Sequence, residues 1–261
     1  IEPSSIDGYY AIPVRCIMDR DNGATNEINA SSSSTVVDGA NESIGSSNSS
    51  SSKGTRLSSS SKGVEKSTFT DSRDERKYNT VTIGNQTWMA ENLNFKTNDS
   101  FCYDDKEEKC AQYGRLYTWF AAMGHECLKE YDCSLSSGTI QGVCPDGWHI
   151  PLRSEFEELI AFVGGQDSSG KMLKSISGWS KSYGKGSDAY GFSALPAGHR
   201  VYYSNRDIYF TGDSSGAKFW SSEDYSLDNW SGDNVWAFAM SLSYGSPSAY
   251  IDYFQKSTYS F

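Results

Sequence analysis

No stretch of the chain approaches the roughly 20 consecutive apolar residues that a membrane-crossing helix requires, so no direct span of a bilayer is expected. No two cysteines have the C-x-x-C spacing of a zinc site or a thioredoxin-type redox pair. Basic residues are scarce, with 23 Lys and Arg against 33 Asp and Glu and a net charge of −10. Such a surface repels polyphosphate, and there is no basic stripe or basic amphipathic helix. Nucleic acid and anionic membrane are therefore not expected partners. Aromatics are absent from residues 21–68, and 15 of the 31 residues from 31 to 61 are Ser. That stretch has too little apolar surface to offset the cost of ordering its backbone, about 1–2 kcal/mol per residue. Its composition predicts a disordered, flexible linker over 21–77.

The apolar material is concentrated elsewhere. All seven Trp lie between Trp88 and Trp236, which places a folded domain at 78–261. That region carries 14 basic and 22 acidic side chains. Ahead of the linker, "GYYAIPVRCIM" (8–18) is an isolated strand-like run within a terminal segment 1–20.

The six cysteines at 16, 102, 110, 127, 133 and 144 suggest an oxidised, exported protein. "CYDDKEEKC" (102–110) and "CLKEYDC" (127–133) look like short polar loops pinned at both ends, pairing Cys102 with Cys110 and Cys127 with Cys133. Cys144 then has only Cys16 as a partner within the chain. A flexible connection over 17–77 has a span of roughly 40 Å, enough to cross a domain of this size.

Local patterns predict an α+β fold of short strands, two or three helices and long irregular loops. "YNTVTIGNQTWMAENLNF" (78–95) reads as a hairpin around Gly84-Asn85. "YGRLYTWFAAMG" (113–124) reads as a short buried helix ended by Gly124. In "VCPDGWHIPLRSEFEELIAFVGG" (143–165), Ser154 and Glu157 form a capping box. Phe156, Leu159, Ile160 and Val163 line one helical face there, stopped by Gly164-Gly165. From Gly178 onward short aromatic runs alternate with Gly, Ser, Asn and Asp, as strands and loops do. No βα alternation is present.

The ordered set "VTIGNQTWMAENLNF", "YGRLYTW", "VCPDGWHIPLRSEFEELI", "MLKSISGW", "GFSALPAGHR" and "AKFWSSE" resembles the Fibrobacter succinogenes major paralogous domain family over about 78–261. The resemblance implies a secreted or cell-surface bacterial protein, often a lipoprotein. It also implies a C-type-lectin-like fold related to the formylglycine-generating enzyme superfamily, with no catalytic activity established for the family. Members usually end in F-S-V-R-C, whereas this chain ends at "STYSF" (257–261) and carries "YAIPVRC" at 10–16. Residues 1–20 are then the tail of a preceding repeat, a strand that fills the missing terminal position, or both at once. Such a strand could dock in cis, or between neighbours as self-association through the N-terminal strand.

Three motifs carry possible chemistry beside a simpler role. "GDSSG" (212–216) fits G-x-S-x-G but lacks the following helix and a positioned His, and reads as a polar turn. His125, His149 and His199 lack regular ligand spacing. His149 is expected to be partly buried and hydrogen-bonded, and His199 to lie at the surface. "EDYSLDNWSGDNVW" (223–236) gathers Asp224, Asp228, Asp233 and Asn234 with Tyr225, Trp230 and Trp236. Hard oxygens suit Ca²⁺ and an aromatic face stacks on sugar, although a solvated acidic loop has the same composition. No cofactor is required, Ca²⁺ being the one ion those oxygens suit. No redox-active cysteine pair of the formylglycine type is seen, so no enzyme is expected. The expected role is a non-catalytic extracellular binding or adhesion module for polysaccharide or envelope protein. Assembly by strand complementation through residues 6–18 is the second reading, and an enzyme is the third.

Overall fold

The computed structural model describes residues 8–20, 65–124, 138–180, 184–203, 207–225 and 236–256. The chain divides into one unit of residues 1–20 and 64–261 and a second of 21–63, the latter lying outside the described residues. The first unit begins with β1 (Gly8–Pro13), β2 (Ile17–Met18), β3 (Glu65–Thr70), β4 (Lys77–Ile83), β5 (Gln86–Met89) and β6 (Ser100–Phe101). After a 3-10 turn at Tyr103–Asp105 come α1 (Glu107–Tyr113), β7 (Leu116–Thr118), α2 (Trp119–Met123) and β8 (Trp148–His149). Then follow α3 (Arg153–Phe162), α4 (Gln166–Leu173), β9 (Ala197–Tyr203) and β10 (Ile208–Asp213). The last three strands are β11 (Gly216–Tyr225), β12 (Trp236–Ser243) and β13 (Ala249–Gln255).

These strands form three antiparallel sheets, ordered β10-β9-β1-β7-β6, β11-β12-β13 and β3-β4-β5-β2-β8. The fold is therefore α+β, as expected, with four α-helices among the described residues rather than two or three.

The N-terminal run is an interior element of two sheets. Tyr10 pairs with Val201 of β9 and Ile12 with Tyr117 of β7. Four residues on, Ile17 pairs with Trp88 of β5 and His149 of β8. Between them, Leu93 N–H donates to Val14 O and Met89 N–H to Cys16 O, both at 3.0 Å. Ala11, Ile12, Val14, Arg15, Cys16 and Ile17 are all at most 2% exposed. Within the single chain, the run thus docks in cis.

Arg15 is the only charged side chain of this run and is fully buried. Its Nη2 donates to Asn92 Oδ1 at 2.7 Å and its Nη1 to the carbonyls of Met89, at 3.1 Å, and Phe192. Its guanidinium also lies 4.6 Å from the Phe192 ring centre and 5.1 Å from that of Phe219. Burial without a carboxylate in contact lowers its pKa to about 9, with Glu91 and Asp188 opposing from a distance. Asn92 passes the restraint on, donating from Nδ2 to Tyr113 O at 2.7 Å. Asp188 shapes the loop that receives Arg15 by accepting from Ser193 N–H and Oγ, both at 2.7 Å.

Cys16 is bonded to Cys144 and Cys102 to Cys110, as expected. Cys127 and Cys133 lie outside the described residues. The folded region begins before 78, because Glu65–Thr70 lies within the stretch read as linker and forms β3 along β4. Its sequence is polar because it is a sheet edge, yet Phe69 packs on Trp148 with ring centres 5.2 Å apart. The following turn docks on the disulfide: Asp71 and Arg73 form an ion pair at 2.7 Å, and Arg73 Nη1 donates to Val143 O and Cys144 O.

The hairpin at Gly84 forms between β4 and β5, and Gly84 takes φ +64°, the Gly-first arrangement of a type II′ turn. The helical face Phe156, Leu159, Ile160 and Val163 is buried as the spacing predicts. The cap lies two residues earlier than predicted: Glu155, not Glu157, reaches back to accept from Leu152 N–H at 2.9 Å. Residues 113–124 split into the end of α1, β7 and the short α2, because Leu116–Thr118 pairs with both β1 and β6. Helix α4 was not foreseen, since its contact is made by backbone. A Cβ at Gly170 would fall on the Ser248 carbonyl, so glycine lets the helix meet the start of β13 directly.

Loss of the Cys16–Cys144 bond opens a loop with a separation of 128 residues, against 8 for Cys102–Cys110. Chain-entropy scaling gives about 5 and about 2.5 kcal/mol respectively. Urea denaturation is expected to show Cys16→Ser destabilised more than Cys102→Ser. Equal midpoints would mean that the N-terminal run is not held as described.

Candidate functional site

The sheet β11-β12-β13 gathers an aromatic cluster at the surface. Tyr225 ends β11 and Trp236 begins β12, and they are register partners. The intervening loop, with Asp228, Trp230, Asp233 and Asn234, lies outside the described residues, as does the expectation of Ca²⁺ that rests on it. Along β12 the strand period of two puts Trp236 and Phe238 on one face, while Ala237 and Ala239 are fully buried on the other. Tyr253 of β13 pairs with Phe238 and so joins the same face.

The result is a platform. Tyr225 and Tyr253 stack with ring centres 4.3 Å apart and planes 7° from parallel. Trp236 meets Tyr253 edge-on at 5.6 Å, and Tyr225 meets Phe238 at 5.3 Å. Tyr253 is 49% exposed, so the cluster presents aromatic surface to solvent. Tyr225 and Trp236 were singled out in the sequence; Tyr253 and Phe238 were not, because only cross-strand register brings them there. Alternation in "VWAFAMSL" was the available signal for Phe238.

The platform stands on a stiff base. Asp224, the neighbour of Tyr225, accepts from Lys256 Nζ at 2.7 Å, and that Lys is 1% exposed with its ammonium 4.4 Å from the Trp119 ring centre. Trp119 Nε1 donates to Ser221 O and Trp220 Nε1 to Tyr117 O, a reciprocal pair at 3.0 and 2.9 Å that stitches β11 to α2 and β7. On the platform side, the Arg153 guanidinium lies 4.6 Å from the Phe238 ring centre while Nε pairs with Glu157 at 2.7 Å. The start of α3 thus abuts the aromatic face.

The other motifs resolve into structural roles. "GDSSG" spans the turn between β10 and β11, with Ser214 at φ +57°, and a strand follows where a nucleophile elbow needs a helix. His125 lies outside the described residues. His149 is buried as expected, with Nδ1 2.6 Å from Asp19 Oδ1 and Nε2 3.0 Å from Glu155 Oε2.

His199 corrects the surface expectation. It stacks on Tyr10 at 5.5 Å beside Lys218 Nζ, 3.3 Å from its Nδ1. Burial and the neighbouring ammonium push its pKa down to about 3. Desolvation takes Lys218 down to about 8 despite Asp252, and its ammonium sits 4.6 Å from the Phe254 ring centre. The pairing of β9 with β1 brings His199 inward, which its neighbour Arg200 in sequence does not reveal. Among the described residues, the grouping with metal-ligand atoms close together is Cys102, Glu107 and Cys110, where both sulfurs are in the disulfide.

Fold and surface together define an α+β domain, braced by disulfides, that presents a solvent-facing aromatic platform. No helix among the described residues is long and apolar enough to cross a membrane. The profile of the Fibrobacter succinogenes major domain matches residues 81–256, and the chain belongs to that family. No curated protein and no solved structure matches the chain significantly.

Burial by itself would lower the His149 pKa, but Glu155 and Asp19 outweigh it and raise the value above the ordinary 6.5. A raised histidine stabilises the fold fully below the unfolded value and loses that contribution as pH rises through the folded value. The gap in urea midpoint between the native protein and His149→Gln is therefore expected to be wider at about pH 5.5 than at about pH 8.5. A gap that widens with pH would contradict the two-carboxylate arrangement.

Proposed function

We propose that this domain is a non-catalytic module displayed outside the bacterial cell, binding polysaccharide through the Tyr225–Tyr253–Trp236 platform. The observation that carries this reading is the parallel tyrosine pair with one ring half in solvent, at a place where the buried core does not require it. Aromatic side chains of this kind offer large, rigid contact area at low entropic cost. The acidic net charge of −10 suits uncharged glycans better than polyanions. Two disulfides fit an oxidising, extracellular setting, and display on the envelope, including as a lipoprotein, accords with family membership. A C-type-lectin-like architecture is part of the same proposal. Asp228, Asp233 and Asn234 are the oxygen ligands that this proposal offers to Ca²⁺, with Trp230 beside them in sequence.

A second reading is assembly with envelope proteins or with further copies by strand complementation. The observation behind it is that the run 8–18 supplies interior strands to two sheets and one half of a disulfide. A copy receiving that run from a neighbour would make the same contacts. Size measurement of the folded chain over a concentration series separates this reading from the first: concentration-dependent oligomers would support assembly, and a monomer at every concentration would remove it.

Because Tyr253 is half exposed, Tyr253→Ala is expected to fold normally while weakening glycan binding by about tenfold or more. A glycan array in calcium and in chelator reads this directly. Unchanged binding by the variant would remove the platform from the account, and no glycan binding at all would overturn the polysaccharide reading.

A further inference from the structure

Beside the platform runs an open groove of about 430 Å³ between α3, the start of α4 and β13. Arg153 and Glu157 stand on one wall, Gln166 at one end, and Asp252 on the strand, with Ile160 and the small Ala161 between. β13 is a terminal strand of its sheet, so the groove follows a sheet edge. Arg153 belongs to both features: it lines the groove and lies over Phe238 of the platform. Tyr253 of the platform directly follows Asp252 of the groove on β13.

We propose that this groove is a second carbohydrate subsite that takes the continuation of an uncharged glycan chain stacked on the platform; this rests on the polysaccharide reading above. The chemistry of the walls favours hydroxyls. A guanidinium, a carboxylate and an amide supply both donors and acceptors, and the apolar floor suits the C–H face of a sugar ring. Charge argues against a uronate chain. The one guanidinium is already paired with Glu157 at 2.7 Å, on a chain that is acidic overall. The ligand class is thus a neutral oligosaccharide longer than the platform alone can cover, and affinity rises with chain length.

The test is calorimetric titration of the folded chain with malto- and cello-oligosaccharides of increasing length and with oligogalacturonate. Two groove variants are compared with Tyr253→Ala: Ala161→Leu, which fills the groove at an exposed position and keeps helix propensity, and Glu157→Ala. The expected result is about a tenfold gain from a disaccharide to the longest neutral oligomer. Both groove variants should abolish that gain, and Ala161→Leu should leave disaccharide binding unchanged. Tyr253→Ala should weaken every length. Equal affinity at all lengths, or a length gain that survives Ala161→Leu, would overturn the subsite while sparing the platform. Tighter binding of oligogalacturonate would overturn the neutral-ligand assignment. Absence of binding by any glycan would overturn the parent reading and this one together.

Discussion

The architecture turns on one buried cation. Arg15 carries its charge into a site with no carboxylate in contact, and its hydrogen bonds go to backbone carbonyls and one amide side chain. A guanidinium taken out of water in this way is tolerable only where its donors are met by acceptors already in place. Those acceptors come from two distant parts of the chain, Met89 and Asn92 on one side and Phe192 on the other. The requirement to satisfy one side chain therefore fixes the N-terminal run, the exit from the first hairpin and the loop before β9 against one another. The adjacent Cys16–Cys144 bond makes the same connection covalently, and Arg73 caps the carbonyl of Cys144. Lysine could not substitute, since it lacks the planar fork that reaches several acceptors at once.

The platform depends on that arrangement at one remove. Phe219, which flanks the Arg15 guanidinium, is on β11, the strand that ends in Tyr225. The next residue, Trp220, is hydrogen-bonded to β7, which pairs with β1. Packing and hydrogen bonds thus run from Arg15 to the aromatic face without crossing a described loop. Below the face, Lys256 and Asp224 tie β13 to β11. A surface whose partners are ordered in advance loses little entropy on binding, which is what a recognition face built of few residues needs.

Much of this was legible in the chain, and the parts that were not share a cause. Cysteine parity anticipated Cys16–Cys144, and the spacing of Phe156, Leu159, Ile160 and Val163 anticipated α3, because covalent pairing and helical periodicity are local or countable. The Gly84 hairpin was legible for the same reason. α4 was hidden because its docking uses Gly170 and backbone rather than an apolar stripe. β3 was hidden because an edge strand keeps polar residues. That β1 lies inside a sheet, that His199 points inward beside Lys218, and that Tyr253 stacks on Tyr225 all follow from pairings between distant segments. Nothing in local composition encodes those. The cap at Leu152 and Glu155 shows the finer limit: Ser154 and Glu157 have the right residues at the right spacing, two residues along from the cap that forms.

The central claim is that residues 8–18 belong to the core. Native-state amide hydrogen exchange measures this directly. The account predicts that the amides of Ala11, Ile12 and Ile17 exchange only through global unfolding, with the same opening free energy as Ala239 and Met240 in β12. The opposite result would be exchange of the N-terminal amides far faster than those of β12, with the rest of the fold still protected. That would show a separable segment and contradict the account.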